Sequence, residues 1–422
     1  MMKQTKEIYF PTVEAIKAAA LKLKGIAAVS PLEKHQRFSE KYNCQMYFKR
    51  EDLQQVRSYK IRGAYNKISS LSPEQIKKGI VCASAGNHAQ GVALSCNLLK
   101  IKGKIYMPSP TPNQKVEQVK MFGKQYVEMV LAGDTFDDSY QEAIKDCEKF
   151  GKPLVHPFND PKVIEGQGTV GLEIIQQSKI PIDYIFIPVG GGGLASGLST
   201  AFKVLSPRTK IIGVEPAGAP SMSQSIDKGE IVNLKQIEKF VDGASVKRVG
   251  DLTFEICKRN LDIMTTVHEG KICQTILEMY NKDAIVAEPA GVMSLAALDN
   301  FKDEIKGKTV VCLVSGSNND ITRTPEIEER ALLFANLKHY FIIKFPQRPG
   351  ALREFVVDIL GPNDDITHFE YTKKVNREND VAVVGIQLKS QQDLKPLISK
   401  LKAHNFFGDY INDKPDLFQL MV

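Results

Sequence analysis

No stretch of this 422-residue chain approaches the ~18 consecutive apolar residues needed to cross a bilayer, so no membrane-spanning helix is expected. The N-terminal "MMKQTKEIYFPTVEAIKAAALKLKG" is charged throughout and lacks the continuous apolar core of a secretory signal. Blocks of like charge are missing too, although 56 basic residues outnumber 49 acidic ones and the formal net charge is +7. A nucleic-acid stripe is therefore unsupported, and the excess implies only mild attraction for small anions. Seven cysteines (Cys44, Cys82, Cys96, Cys147, Cys257, Cys273 and Cys312) form no CxxC pair, and several lie in apolar runs such as "GIVCAS" and "VVCLVS". Buried free thiols in a reducing compartment are expected, without disulfides or zinc, and the location expected is cytoplasmic. Low-complexity tracts and short-period repeats are also absent.

The chain does have enough apolar material for a real core, 43% hydrophobic against 25% charged, and enough length for two or three domains. The runs at 79–84, 104–108, 126–132, 183–189, 210–215 and 309–315 are short, β-branched and almost continuously apolar. That character suits parallel strands buried on both faces. Helical patterns such as "NHAQGVALSCNLL" and "GLASGLSTAFKVL" lie between them, so the sequence predicts a doubly wound α/β region with two open parallel sheets. From His339 the pattern changes to strand, helix, strand, strand, helix, strand, a ferredoxin-like α+β arrangement. The expected organisation is residues 1–325 as one region with a smaller nested domain at about 51–150, a linker at 326–338, and a separate domain at 339–422.

Chemistry concentrates in four short motifs. In "PVGGGGLASG" (188–197) four glycines stand between a strand and a helix, where several N–H groups can face one concavity and hold a phosphate. Gly190, Gly192 and Ala195 also satisfy the dinucleotide pattern GxGxxG/A, with Glu215 placed as a ribose-binding acid, so that alternative stands on spacing alone. "ASAGNHAQGVA" (83–93) sets Ser84, Ala85, Gly86, Asn87 and His88 at a strand-end turn; capping residues and a structural histidine would look the same. "LVSGSNND" (313–320) puts Ser315 just beyond a buried run. Together these turns mark a crevice outside the carboxyl ends of parallel strands. "VRSYKIRGAYNK" (56–67) holds Lys60 between Tyr59 and Ile61. A desolvated amine there is easily deprotonated and can attack an aldehyde. Pyridoxal phosphate, carrying an aldehyde and a phosphate, would use both Lys60 and the glycine cradle.

"SYKIRGAYNKI", "SAGNHAQGVA", "GGGGLASG" and "SGSNND", in this order, resemble the threonine dehydratase family (threonine ammonia-lyases) over residues 10 to 325. These are pyridoxal-phosphate enzymes of fold type II, the fold of serine racemase, cysteine synthase and the tryptophan synthase β subunit. "FPQRPGALREF" and "GPNDDITHFEYTKK" make residues 339–422 similar to the single ACT-like regulatory domain of short biosynthetic members. The resemblance implies that Lys60 joins the cofactor aldehyde and later takes the substrate's α proton. It implies that Tyr59, where the family usually has Phe, packs beside the cofactor ring, and that Asn87 bonds the phenolic oxygen. Gly190, Gly191, Gly192, Gly193 and Leu194 would hold the phosphate, and Ser315 would face the pyridine nitrogen. Ser84, Ala85, Gly86 and His88 would line the substrate carboxylate. A neutral hydroxyl at the pyridine nitrogen does not enforce protonation there and favours prompt β-elimination, giving 2-oxobutanoate and ammonia from L-threonine. Racemases of this fold carry a serine where Ala85 stands, so racemisation is disfavoured. Their cation site matches Glu215 and Ala219, but Ser221 replaces an aspartate, so no tight divalent metal is expected. Isoleucine, with valine as a conceivable antagonist, is the implied effector of the tail, and a homodimer or homotetramer is the implied assembly.

Overall fold

A computed structural model describes residues 9–372, 379–414 and 417–418. The chain divides into two compact units, Met1–Ile321 and Thr322–Val422. In the first, a six-stranded sheet is built from β1 (Leu32–Lys34), β2 (Gln45–Arg50), β6 (Tyr184–Pro188), β7 (Lys210–Pro216), β8 (Ile263–Val267) and β9 (Thr309–Val314). Its order is β1-β2-β9-β6-β7-β8, parallel except for the β1–β2 pair. A second, wholly parallel sheet holds β3 (Ile80–Ala83), β4 (Gly103–Met107) and β5 (Val127–Leu131) in that order. β3, β6 and β9 are buried at every position, as their continuous apolar runs required.

Three strands of this unit, β1, β2 and β8, were not expected from the sequence. β2 reads "QMYFKR", and its charged end disguises a central strand, yet Lys49 is completely buried because Glu173 and the Ser30 carbonyl accept from its Nζ at 2.6 Å. β8 is an edge strand with Ile263 exposed, and β1 spans three residues, so neither leaves a strong apolar signature.

The second unit opens with helix Thr324–Phe334, so the residues expected as linker, 326–338, hold most of a helix and the first residue of β10 (Lys338–Pro346). β11 (Asp365–Thr372), β12 (Asn379–Gln387) and β13 (Phe407–Tyr410) complete an antiparallel sheet of order β11-β12-β10-β13. Helix Ala351–Glu354, continued by a π turn at Phe355–Ile359, and helix Leu394–Ala403 cover it through Phe355, Leu397 and Leu401. This is the ferredoxin-like order. The Lys373 end of the predicted second strand, and residues 415–416 and 419–422, lie outside the described residues. Among the described residues no helix is long and apolar enough to cross a membrane, and all seven cysteines are free.

Candidate active site

Lys60 is the first residue of helix Lys60–Ile68, with Tyr59 as its N-cap. Its Nζ donates to the Pro157 carbonyl at 3.0 Å and lies 5.4 Å from the centre of the Tyr59 ring. Burial pushes the Lys60 amine down to about 8, against the opposing pull of Glu288. A nucleophilic free amine is therefore accessible near neutral pH.

The segment around Lys60 is tied to the end of β9 by backbone bonds. Tyr59 N donates to Ser315 O at 3.3 Å, Ser317 N donates to Arg57 O at 2.9 Å, and Ser58 pairs with Gly316. Ser315 is buried, its Oγ donating to Ala290 O at 3.2 Å.

Two residues further along the same helix, Arg62 anchors the element. Its guanidinium donates to both oxygens of Glu51 at 2.8 Å and to both oxygens of Glu173 at 2.6 and 2.9 Å. Burial pushes Glu51 up, but the Arg62 charge outweighs it and holds the carboxyl below its ordinary value. That stabilisation is present above the ordinary carboxylate range and lost as the pH falls through the depressed folded value. Arg62→Ala leaves the fully buried Glu51 without its ion-pair partner, Glu173 keeping Lys49, and is expected to destabilise the fold by about 3–5 kcal/mol. Urea unfolding measures this; a loss below about 1 kcal/mol would contradict it.

The glycine loop follows β6. Gly192 sits at φ +88°, a left-handed conformation that a side chain would strain by about 1–2 kcal/mol. Gly191 is required by contact: a Cβ there would stand 2.3 Å from the Phe158 ring. Thr253 Oγ1 donates to Gly191 O at 2.6 Å and fixes the loop from behind. Among the described residues no protein acceptor takes the N–H groups of Gly190, Gly191, Gly192, Gly193 or Leu194, and they open helix Gly193–Leu205. Five free N–H groups at a helix start form an anion cradle. Pro157 and Phe158 join this cradle to Lys60, because one carbonyl contacts the amine while the next ring packs on the glycines.

The third turn leads from β3 into helix Asn87–Leu99. Gly86 N donates to Ser84 Oγ at 3.3 Å, and a Cβ on Gly86 would meet nothing within 4 Å, so space lies open above it. Ala85 is partly buried in the same turn. Asn87 Nδ2 donates to Glu288 Oε1 at 2.6 Å, and its Oδ1 accepts from Asn318 Nδ2 at 2.7 Å. His88 is a different matter. Its Nε2 donates to Val155 O at 2.9 Å, and burial, helped by the Lys60 charge, pushes the imidazole down to about 3. The ring is a neutral structural element, so what His88 can offer the turn is its backbone N–H.

The structure thus brings Tyr59, Lys60, Asn87 and Ser315 together through shared bonds and joins the glycine loop to them through 157–158. Sequence reasoning missed Pro157, Phe158, Glu288 and Asn318. Glu288 had a faint signal, a lone acid just before the apolar helix Pro289–Ala296; Phe158 had none. Glu215 accepts from Met222 N, Ser223 N and Ser223 Oγ at 2.7–2.8 Å and thereby caps helix Ser221–Lys228, so it is not presented to a ribose. Among the described residues no cluster of three His, Cys, Asp or Glu could hold a metal ion.

The family described as pyridoxal-phosphate dependent enzyme matches residues 24–316, and this chain belongs to it. Residues 329–420 match the C-terminal regulatory domain of threonine dehydratase. At the finer level the chain is a member of the biosynthetic threonine dehydratase family. It is 56% identical to the L-threonine dehydratase biosynthetic IlvA of Halalkalibacterium halodurans over 97% of this chain and 99% of that one. With the Bacillus subtilis protein of the same name it shares 53% identity over 99% of each. Among solved structures it is similar to the processed form of threonine deaminase isoform 2 from Solanum lycopersicum, at 39% identity and TM-score 0.72, covering 79% of this chain and 94% of that one. A maize serine racemase structure follows at 31% identity and TM-score 0.71, covering 77% and 98%. The cofactor is pyridoxal 5'-phosphate, and the site fits it: a cradle of unpartnered N–H groups for the phosphate and a depressed lysine amine for the aldehyde.

Proposed function

We propose that the chain deaminates L-threonine to 2-oxobutanoate and ammonia, the step that feeds isoleucine biosynthesis. The reading is carried by identity above one half, along nearly the whole length, to biosynthetic threonine dehydratases. The bound cofactor supplies an electron sink for the substrate's α-carbon. Lys60 carries it and, once released, removes the α proton, a task suited to an amine whose pKa lies near 8. The N–H groups of Gly190, Gly191, Gly192, Gly193 and Leu194 hold the phosphate. With the cofactor bound, Asn87 would bond its phenolic oxygen, Tyr59 would pack beside its ring, and Ser315 would offer a hydroxyl to its pyridine nitrogen. Ser84, Ala85 and Gly86, with the His88 N–H, hold the substrate carboxylate. Ala85 offers no proton on the opposite face, which favours elimination over racemisation. Threonine is expected to exceed serine in kcat/KM by about tenfold, the worth of one well-packed methyl group. Product analysis by 2-oxo acid derivatisation checks this, and a preference for serine would refute the assignment.

The regulatory unit is read as a sensor of isoleucine, with valine as a conceivable antagonist. Activity is expected to fall with added isoleucine in the full chain but not after removal of residues 339–422; superimposable curves would end this reading. A homodimer or homotetramer working in the cytoplasm completes the proposal, the compartment supported by seven unbridged cysteines.

A further inference from the structure

Glu288 is a buried carboxylate that none of these roles uses. It caps helix Pro289–Ala296, and its backbone N–H donates to Gly316 O at 3.2 Å. Space for the carboxylate exists because Gly316 lacks a side chain: a Cβ there would stand 2.3 Å from Oε1. Asn87 donates to it, and among the described residues no lysine or arginine forms an ion pair with it. A buried acid without an ion-pair partner is costly and marks a functional position.

The chemistry of the two amides makes Glu288 informative. Glu288 Oε1 accepts from the Asn87 amino group, while Asn318, whose Nδ2 is fixed by also donating to Val56 O at 2.9 Å, donates to the Asn87 oxygen. The Asn87 amide is thereby locked in one orientation with its second N–H unclaimed. The charged and titratable groups acting with Glu288 are Lys60 and Tyr59 from the helix opposite, Asp242 from the loop after Val241, and Lys115, itself paired with Asp242.

We propose that Glu288 is a positioning residue that locks the Asn87 amide for the cofactor's phenolic oxygen. The inference rests on the reading of Lys60 as the cofactor-bearing lysine.

Glu288→Gln keeps the shape, removes the charge and lets the Asn87 amide turn over, since glutamine both donates and accepts. In the loaded enzyme the cofactor is expected to bind about tenfold more weakly, the worth of one charged hydrogen bond. Glu288→Asp, which keeps an acceptor for the Asn87 amino group, should recover most of the affinity. Should Glu288→Gln not fold, Asn318→Ala removes the other half of the lock and should weaken cofactor binding by a similar factor. Wild-type cofactor affinity in Glu288→Gln or in Asn318→Ala would overturn the inference. Retention of a borohydride-fixed cofactor by Lys60→Ala would instead overturn the reading on which it rests.

Discussion

Replacing Lys60 with alanine is expected to lower threonine turnover by at least ~10⁴-fold, because the substitution removes the nucleophile and the proton acceptor together. Neither imidazole that feels the Lys60 charge is suited to replace it: His88 donates to a carbonyl and is held neutral to about pH 3, and His156, pushed down to about 4 by burial, accepts from the Phe158 and Asn159 N–H groups. Ala85 has nothing to exchange. Lys60→Arg should be as inactive as the alanine variant, since a guanidinium does not give up its proton at working pH. The folded state should survive, because removing a buried amine relieves a desolvation cost. The glycine cradle remains, so cofactor should still bind but be lost on dialysis, and borohydride followed by peptide mapping should find none attached. Turnover within about a hundredfold of wild type would remove Lys60 from the mechanism.

Gly191→Ala is expected to weaken cofactor binding by about 100-fold without unfolding the protein. The added methyl would lie 2.3 Å from Cδ1 and Cγ of Phe158. That ring has little room to retreat. It also covers Gly193, whose own Cβ would stand 2.9 Å from the Phe158 Cβ, and the Phe158 N–H is held by His156 Nδ1 at 3.2 Å. Asn159 Oδ1, one residue on, accepts from Leu252 N at 3.0 Å. The glycine loop must therefore yield, turning its N–H groups away from the phosphate. Losing one or two charge-assisted bonds of about 1.5–3 kcal/mol each accounts for the loss. The double variant Gly191→Ala, Phe158→Ala removes every ring atom in the clash and should recover at least about tenfold. Equilibrium dialysis with the cofactor measures both. An unimpaired Gly191→Ala enzyme would show that these N–H groups do not hold the phosphate.

How much of this was legible beforehand depended on whether a feature is local. Lys60, the glycine loop and the turns at Asn87 and Ser315 each lie within a dozen contiguous residues at a strand end or helix start. β3, β6 and β9 were legible because burial on both faces leaves an unbroken apolar run. β2 was not, because Lys49 becomes acceptable in the interior only when Glu173, far along the chain, meets it. His88 was misleading for the same reason: its carbonyl partner, Val155, is 67 residues away.

The two kinds of architecture were legible in the sequence, and so were Lys60 and the glycine loop as candidates, since these follow from local periodicity, small-residue turns and the order of motifs. Tertiary structure alone decided which groups act on them. The depressed Lys60 amine, the ring of Phe158 against Gly191 and the carboxylate of Glu288 against Asn87 arise from residues about 30 to 200 positions apart. Burial and electrostatic coupling depend on distance in space, and only the folded chain sets that distance.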